Sequence, residues 1–205
     1  MIKLYGPARS RTFRCLWTLE ELGLPYENVP VDLRAGEHRT PEFLKLNPLA
    51  RVPVLQDDTV TLFESAAICT YLAEKHPEKK LIPKPGTKER AYYYQWVSYV
   101  TTELEQGLWT MGKHKFALPK EKRVPDMIAV GAWEFSKISK VLENAVQSKQ
   151  YLVGDTFTVA DLLAAHTLLW AKGFEVPITA PLEKYLADLQ KRPAFQKVLA
   201  LRNAS

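Results

Sequence analysis

Residues 77–86, "PEKKLIPKPG", separate two stretches of chain that follow different hydrophobic periodicities. Proline fixes φ and lacks a backbone donor, so neither a helix interior nor a central strand runs through this segment. It reads as a linker. Before it, short apolar runs alternate with helical patterns; after it, every periodic segment has the spacing of a helix. The chain is therefore expected to hold an α/β domain over residues 1–76 and an all-helical domain over 87–205.

The first part opens with "IKLY", a strand pattern. Segment 11–22, "RTFRCLWTLEEL", has helical spacing, with Ser10 as its N-cap and Gly23 as its C-terminal stop. "YENVPVDL" (26–33) is a second strand, and Pro30 suits it to a sheet edge. Thr40 followed by Pro41 opens the short helix "PEFLKLN". "RVPVLQ" (51–56) and "TVTLF" (59–63) stand close enough to form a hairpin, and helix 65–76 follows at once. The order is βαβαββα.

Beyond the linker, 87–112 is long and aromatic, and 121–148 is amphipathic. Segment 156–172 is nearly apolar throughout, as expected of a buried central helix. Thr158 with Asp161 three residues on has the spacing of a capping box. Short helices follow at 182–191 and 194–201, preceded by Pro181 and Pro193.

Composition excludes several functions. The 205 residues are 46% hydrophobic and 25% charged, and no apolar run reaches the roughly 18 residues needed to span a bilayer. The N-terminus has no apolar core ahead of a small-residue cleavage site, so a cytoplasmic protein without a membrane partner is expected. Two cysteines make no disulfide framework, and the four histidines form no H-x-x-x-H pair, so no metal site is expected. The net charge is +5, but the basic residues are dispersed. Their densest run, "KHKFALPKEKR" (113–123), lacks a nucleic-acid motif and reads as a solvated loop.

The chemistry concentrates after the first strand. "GPARSRTFRC" (6–15) offers Ser10, Thr12 and Cys15 as groups able to handle sulfur. With "NPLARVPVL", "LFESAAICTYLAEKHP" and "FTVADLLAAH" following in order, the chain resembles cytosolic glutathione S-transferases over nearly its whole length. The likeness is to a bacterial-type member with a serine at the first-helix turn. It implies a thioredoxin-like N-terminal domain, a helical-bundle C-terminal domain and a homodimer. Glutathione would be the co-substrate, a small hydrophobic electrophile its partner, and no cofactor would be covalently bound.

The resemblance also implies a site. A cis proline at Val52-Pro53 would expose Val52's backbone to the cysteinyl part of glutathione, in the manner of an added strand. Glu64 would meet the γ-glutamyl ammonium, and Ser65, at a helix N-terminus, the carboxylate. His38, Arg39 and Arg51 fall where the glycine end would be held. The group favouring the thiolate is expected to be Ser10, with Thr12 in reserve and Tyr5 lying early, inside the strand. Cys15, deeper in the helix, is expected to pack, as is Cys69. Tyr99, Leu104, Met111 and Phe116 are candidates to line an electrophile pocket. Competing readings are a glutathione-dependent peroxidase or thiol–disulfide oxidoreductase on the same site, and a non-catalytic binding protein of this fold.

Overall fold

A computed structural model of the chain describes residues 1–204. Two compact units emerge among the described residues: 1–82 together with 190–204, and 83–189.

In the first unit a four-stranded sheet has the order β2-β1-β3-β4, from β1 (Ile2–Tyr5), β2 (Tyr26–Val29), β3 (Val54–Asp57) and β4 (Val60–Phe63). Strand β1 runs parallel to β2 and antiparallel to β3, and β3 pairs antiparallel with β4. Leu4 faces Leu55 across the central pair, both wholly buried. Strand β2 stops before Pro30, at the sheet edge, where a missing donor costs least. Helices α1 (Thr12–Leu22), α2 (Pro41–Leu46) and α3 (Ser65–Lys75) complete the βαβαββα order. Gly23 ends α1 at φ 69°, the left-handed stop expected. The Thr40 hydroxyl caps α2 by accepting from the Phe43 N–H. At α1 the expectation is off by one: Arg11 holds the N-cap position and Ser10 lies just outside.

The last helix, α9 (Pro193–Ala204), belongs by compactness to this first unit, although its periodicity alone groups it with the helices before it. Its partner is α1. Phe195 meets Trp17 and Phe13 edge-on, at centroid separations of 4.9 and 5.4 Å. Arg192 binds both oxygens of Glu21, at 2.6 and 2.7 Å, and Lys197 reaches Glu20 at 2.7 Å. Buried edge-on aromatics plus a forked guanidinium–carboxylate pair fix one helix on the other in both distance and rotation. The linker segment is less exposed than its lysines suggest: Leu81 and Ile82 at its centre are buried.

In the second unit the run 88–117 is interrupted twice by π-helical turns. Helix α4 (Lys88–Tyr99) passes through a π turn (Val100–Leu104) into α5 (Gln106–Gly112), and a second π turn covers Lys113–Ala117. The basic run expected as a solvated loop is thus partly helical. Arg123 ties it down by donating to the carbonyls of Lys115, Phe116 and Leu118. Helix α6 (Asp126–Val146) meets α5 through glycines: a Cβ on Gly107 or Gly131 would stand 2.4 Å from the other's carbonyl oxygen. Helix α7 (Val159–Gly173) runs through the core, buried at eleven of its positions as its apolar sequence requires. The Thr158–Asp161 capping box opens it, and α8 (Ala180–Gln190) follows. No helix among the described residues is long and apolar enough to cross a membrane.

Candidate functional site

The first unit assembles a site from three chain turns, beginning with the one after β1. Ser10 Oγ lies 2.8 Å from the Pro7 carbonyl and 2.9 Å from Thr12 Oγ1, and it accepts from the Thr12 N–H at 3.1 Å. A hydroxyl has one proton and two acceptor lone pairs. Ser10 therefore gives its proton to one neighbour at a time and can redirect it by a rotation of χ. Thr12 is fully buried and Ser10 half-buried, so the pair shows Ser10 outward with Thr12 behind it. Tyr5 takes no part here, since its hydroxyl is bonded to Gln56 Oε1 on the neighbouring strand.

The second turn carries Val52-Pro53, whose peptide bond is cis. Asn47, almost wholly buried, organises the approach. Its Nδ2 donates to the Arg51 carbonyl at 2.8 Å, its Oδ1 accepts from the Leu49 N–H at 3.0 Å, and its carbonyl accepts from Ala50. Gly6 joins this turn to the first. At φ 132°, a Cβ there would stand 2.3 Å from Thr12 Oγ1 and 2.8 Å from Val52 Cβ. The closeness of those two side chains thus depends on Gly6 having none.

The third turn joins β4 to α3. Glu64 sits at φ 71°, a strained value for a residue with a side chain, and its own side chain is exposed. Ser65, nearly buried, starts α3, where the first backbone N–H groups have no helical partner. Arg14 Nη1 donates to Ser65 Oγ at 3.2 Å.

His38 and Arg39 occupy a separate loop, the 3-10 turn Glu37–Arg39, and Arg51 is exposed at the foot of the Asn47 turn. His38 Nδ1 is buried without a hydrogen-bond partner, and burial, with Arg39 close by, holds the imidazole pKa below the usual histidine range. At neutral pH His38 is therefore an uncharged hydrogen-bonding group. Cys15 is wholly buried; burial and the neighbouring Cys69 push its thiol pKa well up, which makes it a poor nucleophile.

The four electrophile-pocket candidates all lie in the second unit, and three of them are committed to its interior. Tyr99 donates its hydroxyl to the Ile138 carbonyl at 2.8 Å, and Leu104 and Met111 are buried. Only Phe116 shows a largely exposed ring, 59% accessible, and it meets Phe174 edge-on, with Trp170 beyond and Lys115 Nζ 4.8 Å from the Phe174 ring centroid.

Three residues of this arrangement lie inside the quoted motifs but have no role assigned from the sequence: Gly6, Asn47 and Arg14. A glycine directly after the first strand, and the "NPLAR" turn, were the available signals for two of them. Arg14 had none.

Residues 1–74 match the family model for the glutathione S-transferase N-terminal domain, and residues 113–199 match that for the C-terminal domain. Glutathione S-transferase hmp2 of Hypomyces subiculosus is 36% identical, over 98% of each chain. Glutathione S-transferase 1 of Zea mays is 32% identical over 100% of this chain and 98% of its own. A solved glutathione transferase from Populus trichocarpa superposes with a TM-score of 0.85 at 32% identity, covering 98% of this chain and 99% of that one. Another, from Phanerochaete chrysosporium in complex with oxidized glutathione, gives 0.86 at 29% identity over 99% and 96%.

Proposed function

Since the chain belongs to the glutathione S-transferase family and its activity is glutathione transfer, we propose that the reaction turns on the hydroxyl pair Ser10–Thr12. A thiol like that of glutathione has a pKa near 8.5, so at neutral pH most of it is in the unreactive protonated form. Lowering that value by two units requires about 2.7 kcal/mol. Ser10 supplies most of it by turning its proton from Pro7 or Thr12 toward the sulfur. The Thr12 N–H already donates to Ser10 Oγ, and the Thr12 hydroxyl 2.9 Å away is able to do the same. Two donors pulling on one hydroxyl oxygen make that hydroxyl a stronger donor in turn. The N-terminal end of α1 adds a favourable dipole.

In this reading the sulfur proton leaves to solvent as glutathione binds. The thiolate then forms a carbon–sulfur bond to a small hydrophobic electrophile, whose leaving group departs with the bonding pair. Val52's backbone pairs with the cysteinyl part of glutathione, Glu64 meets the ammonium, and Ser65 the γ-glutamyl carboxylate. His38, Arg39 and Arg51 serve the glycine end, His38 as a neutral hydrogen-bonding group. Of the electrophile candidates, Phe116 keeps a largely exposed ring, edge-on to Phe174. A cytoplasmic homodimer belongs to the same proposal. Thiol exchange at Cys15 gains no support, because that thiol is buried and protonated.

The observation that carries the proposal is the Ser10–Thr12 contact at the start of α1. Its test is turnover of glutathione with chlorodinitrobenzene. Ser10→Ala is expected to lower kcat by about 3- to 25-fold at pH 7, the loss of thiolate when a midpoint about two units below 8.5 returns by one to two units. Thr12→Val should lower it less. Full activity in Ser10→Ala at unchanged glutathione affinity would remove Ser10 from the mechanism.

A further inference from the structure

We infer that Arg14, a residue that no part of the proposed chemistry uses, is a positioning residue: its buried guanidinium orients Ser65 to receive the γ-glutamyl carboxylate of glutathione. The inference rests on the reading of Ser65 given above and adds what sets that residue's polarity.

Arg14 is wholly buried in the first turn of α1, two residues past Thr12. Charged side chains are almost never fully buried unless polar groups engage them. One engagement is the bond from Arg14 Nη1 to Ser65 Oγ. A guanidinium can only donate, so Ser65 Oγ must accept, which leaves the serine's own proton free to point elsewhere. The next residue, Cys15, lies with its sulfur 3.9 Å from the Ser65 carbonyl. Helix α1 therefore holds Ser65 at both its hydroxyl and its carbonyl.

The result is a directed set of donors. Ser65 presents a hydroxyl proton and a backbone N–H at the N-terminal end of α3, an eleven-residue helix, with a fixed positive charge behind the oxygen. A hydroxyl that already accepts from a cation is a stronger donor, and all these groups favour an anion in front of them. Because Thr12 and Arg14 both lie in the first turn of α1 and Ser10 is bonded to Thr12, α1 itself sets the spacing of the groups that would meet the two parts of glutathione.

Calorimetry on the full-length protein tests this with two ligands: glutathione, and γ-aminobutyryl-cysteinylglycine, which lacks only the γ-glutamyl carboxylate. Arg14→Met is expected to weaken glutathione binding by about 10-fold or more, the worth of a charge-assisted hydrogen bond. The kinetic loss should fall more on KM for glutathione than on kcat. The truncated ligand should bind wild type and Arg14→Met alike, and in a Ser65→Ala background Arg14→Met should cost little further. Arg14→Lys, which keeps a charge and a donor, should recover part of the loss; it carries the same comparisons if the methionine variant does not fold. An Arg14 effect equally large on the truncated ligand, or one that adds in full to Ser65→Ala, overturns the inference. A loss in Ser65→Ala with none in either Arg14 variant overturns it while sparing the reading of Ser65. Unchanged glutathione affinity in Ser65→Ala overturns both.

Discussion

Replacing Gly6 by alanine is expected to abolish glutathione binding and to cost about 3–5 kcal/mol of stability, the sum of one strained backbone position and one overpacked contact. Two independent facts require the glycine. Its φ of 132° is one that side-chain-bearing residues rarely adopt, and the added carbon would stand 2.3 Å from Thr12 Oγ1 and 2.8 Å from Val52 Cβ. Neither neighbour can yield easily, because Thr12 is wholly buried and Val52 packs against the Val31–Phe43–Val54 cluster. The chain must therefore shift one turn of the site or the other. Urea unfolding gives the stability loss and calorimetry the affinity. A Gly6→Ala protein with wild-type values for both would show that the two turns are not held together here.

Asp161→Ala is expected to cost about 4 kcal/mol, at the upper end for a single side chain. The carboxylate is fully buried and takes four donors. Oδ1 accepts from the Leu152 N–H and the Tyr185 hydroxyl, each at 2.8 Å. Oδ2 accepts from the Thr158 N–H at 2.8 Å and the Thr158 hydroxyl at 3.0 Å. Burial pushes the carboxyl pKa up while those donors pull it down, so its ionisation in the folded protein depends on their company. Alanine would leave two buried N–H groups and a buried phenol without an acceptor. Asp161→Asn keeps the shape but turns an amide donor toward other donors, and about 2 kcal/mol of loss is expected there. An asparagine variant with an unchanged urea midpoint would mean that the ionised carboxylate contributes nothing net.

Asp161 also shows how far a sequence can be read. Its pairing with Thr158 follows from local spacing, since three residues separate the partners. The bond to Tyr185 crosses 24 residues and has no local signature. The βαβαββα order was legible because its periods are short and its boundaries chemical: Gly23 and Pro30 as stops, Thr40 as a start. The place of α9 was not, because an amphipathic helix reveals that it has a buried face and not which helix covers it. The two π turns were hidden for a related reason: each adds a residue to a helical period without changing its composition. Arg14 was unreadable because a charged residue on a helix is usually solvated. Helix α1, covered by the sheet, α3 and α9, is buried at nine of its eleven positions. Of the electrophile candidates, Tyr99, Leu104 and Met111 show that an aromatic or apolar surplus cannot be divided between core and pocket before the helices are placed.

The central proposal concerns one proton, so the most direct measurement is titration of the glutathione thiol on the enzyme, followed by the ultraviolet absorbance of its thiolate. In the wild-type complex the midpoint is expected about two units below the free thiol's value near 8.5. In Ser10→Ala it should return at least about one unit toward that value, and in Thr12→Val by less. A Ser10→Ala complex that ionises at the wild-type midpoint would contradict the account and assign the thiolate to some other group at the start of α1.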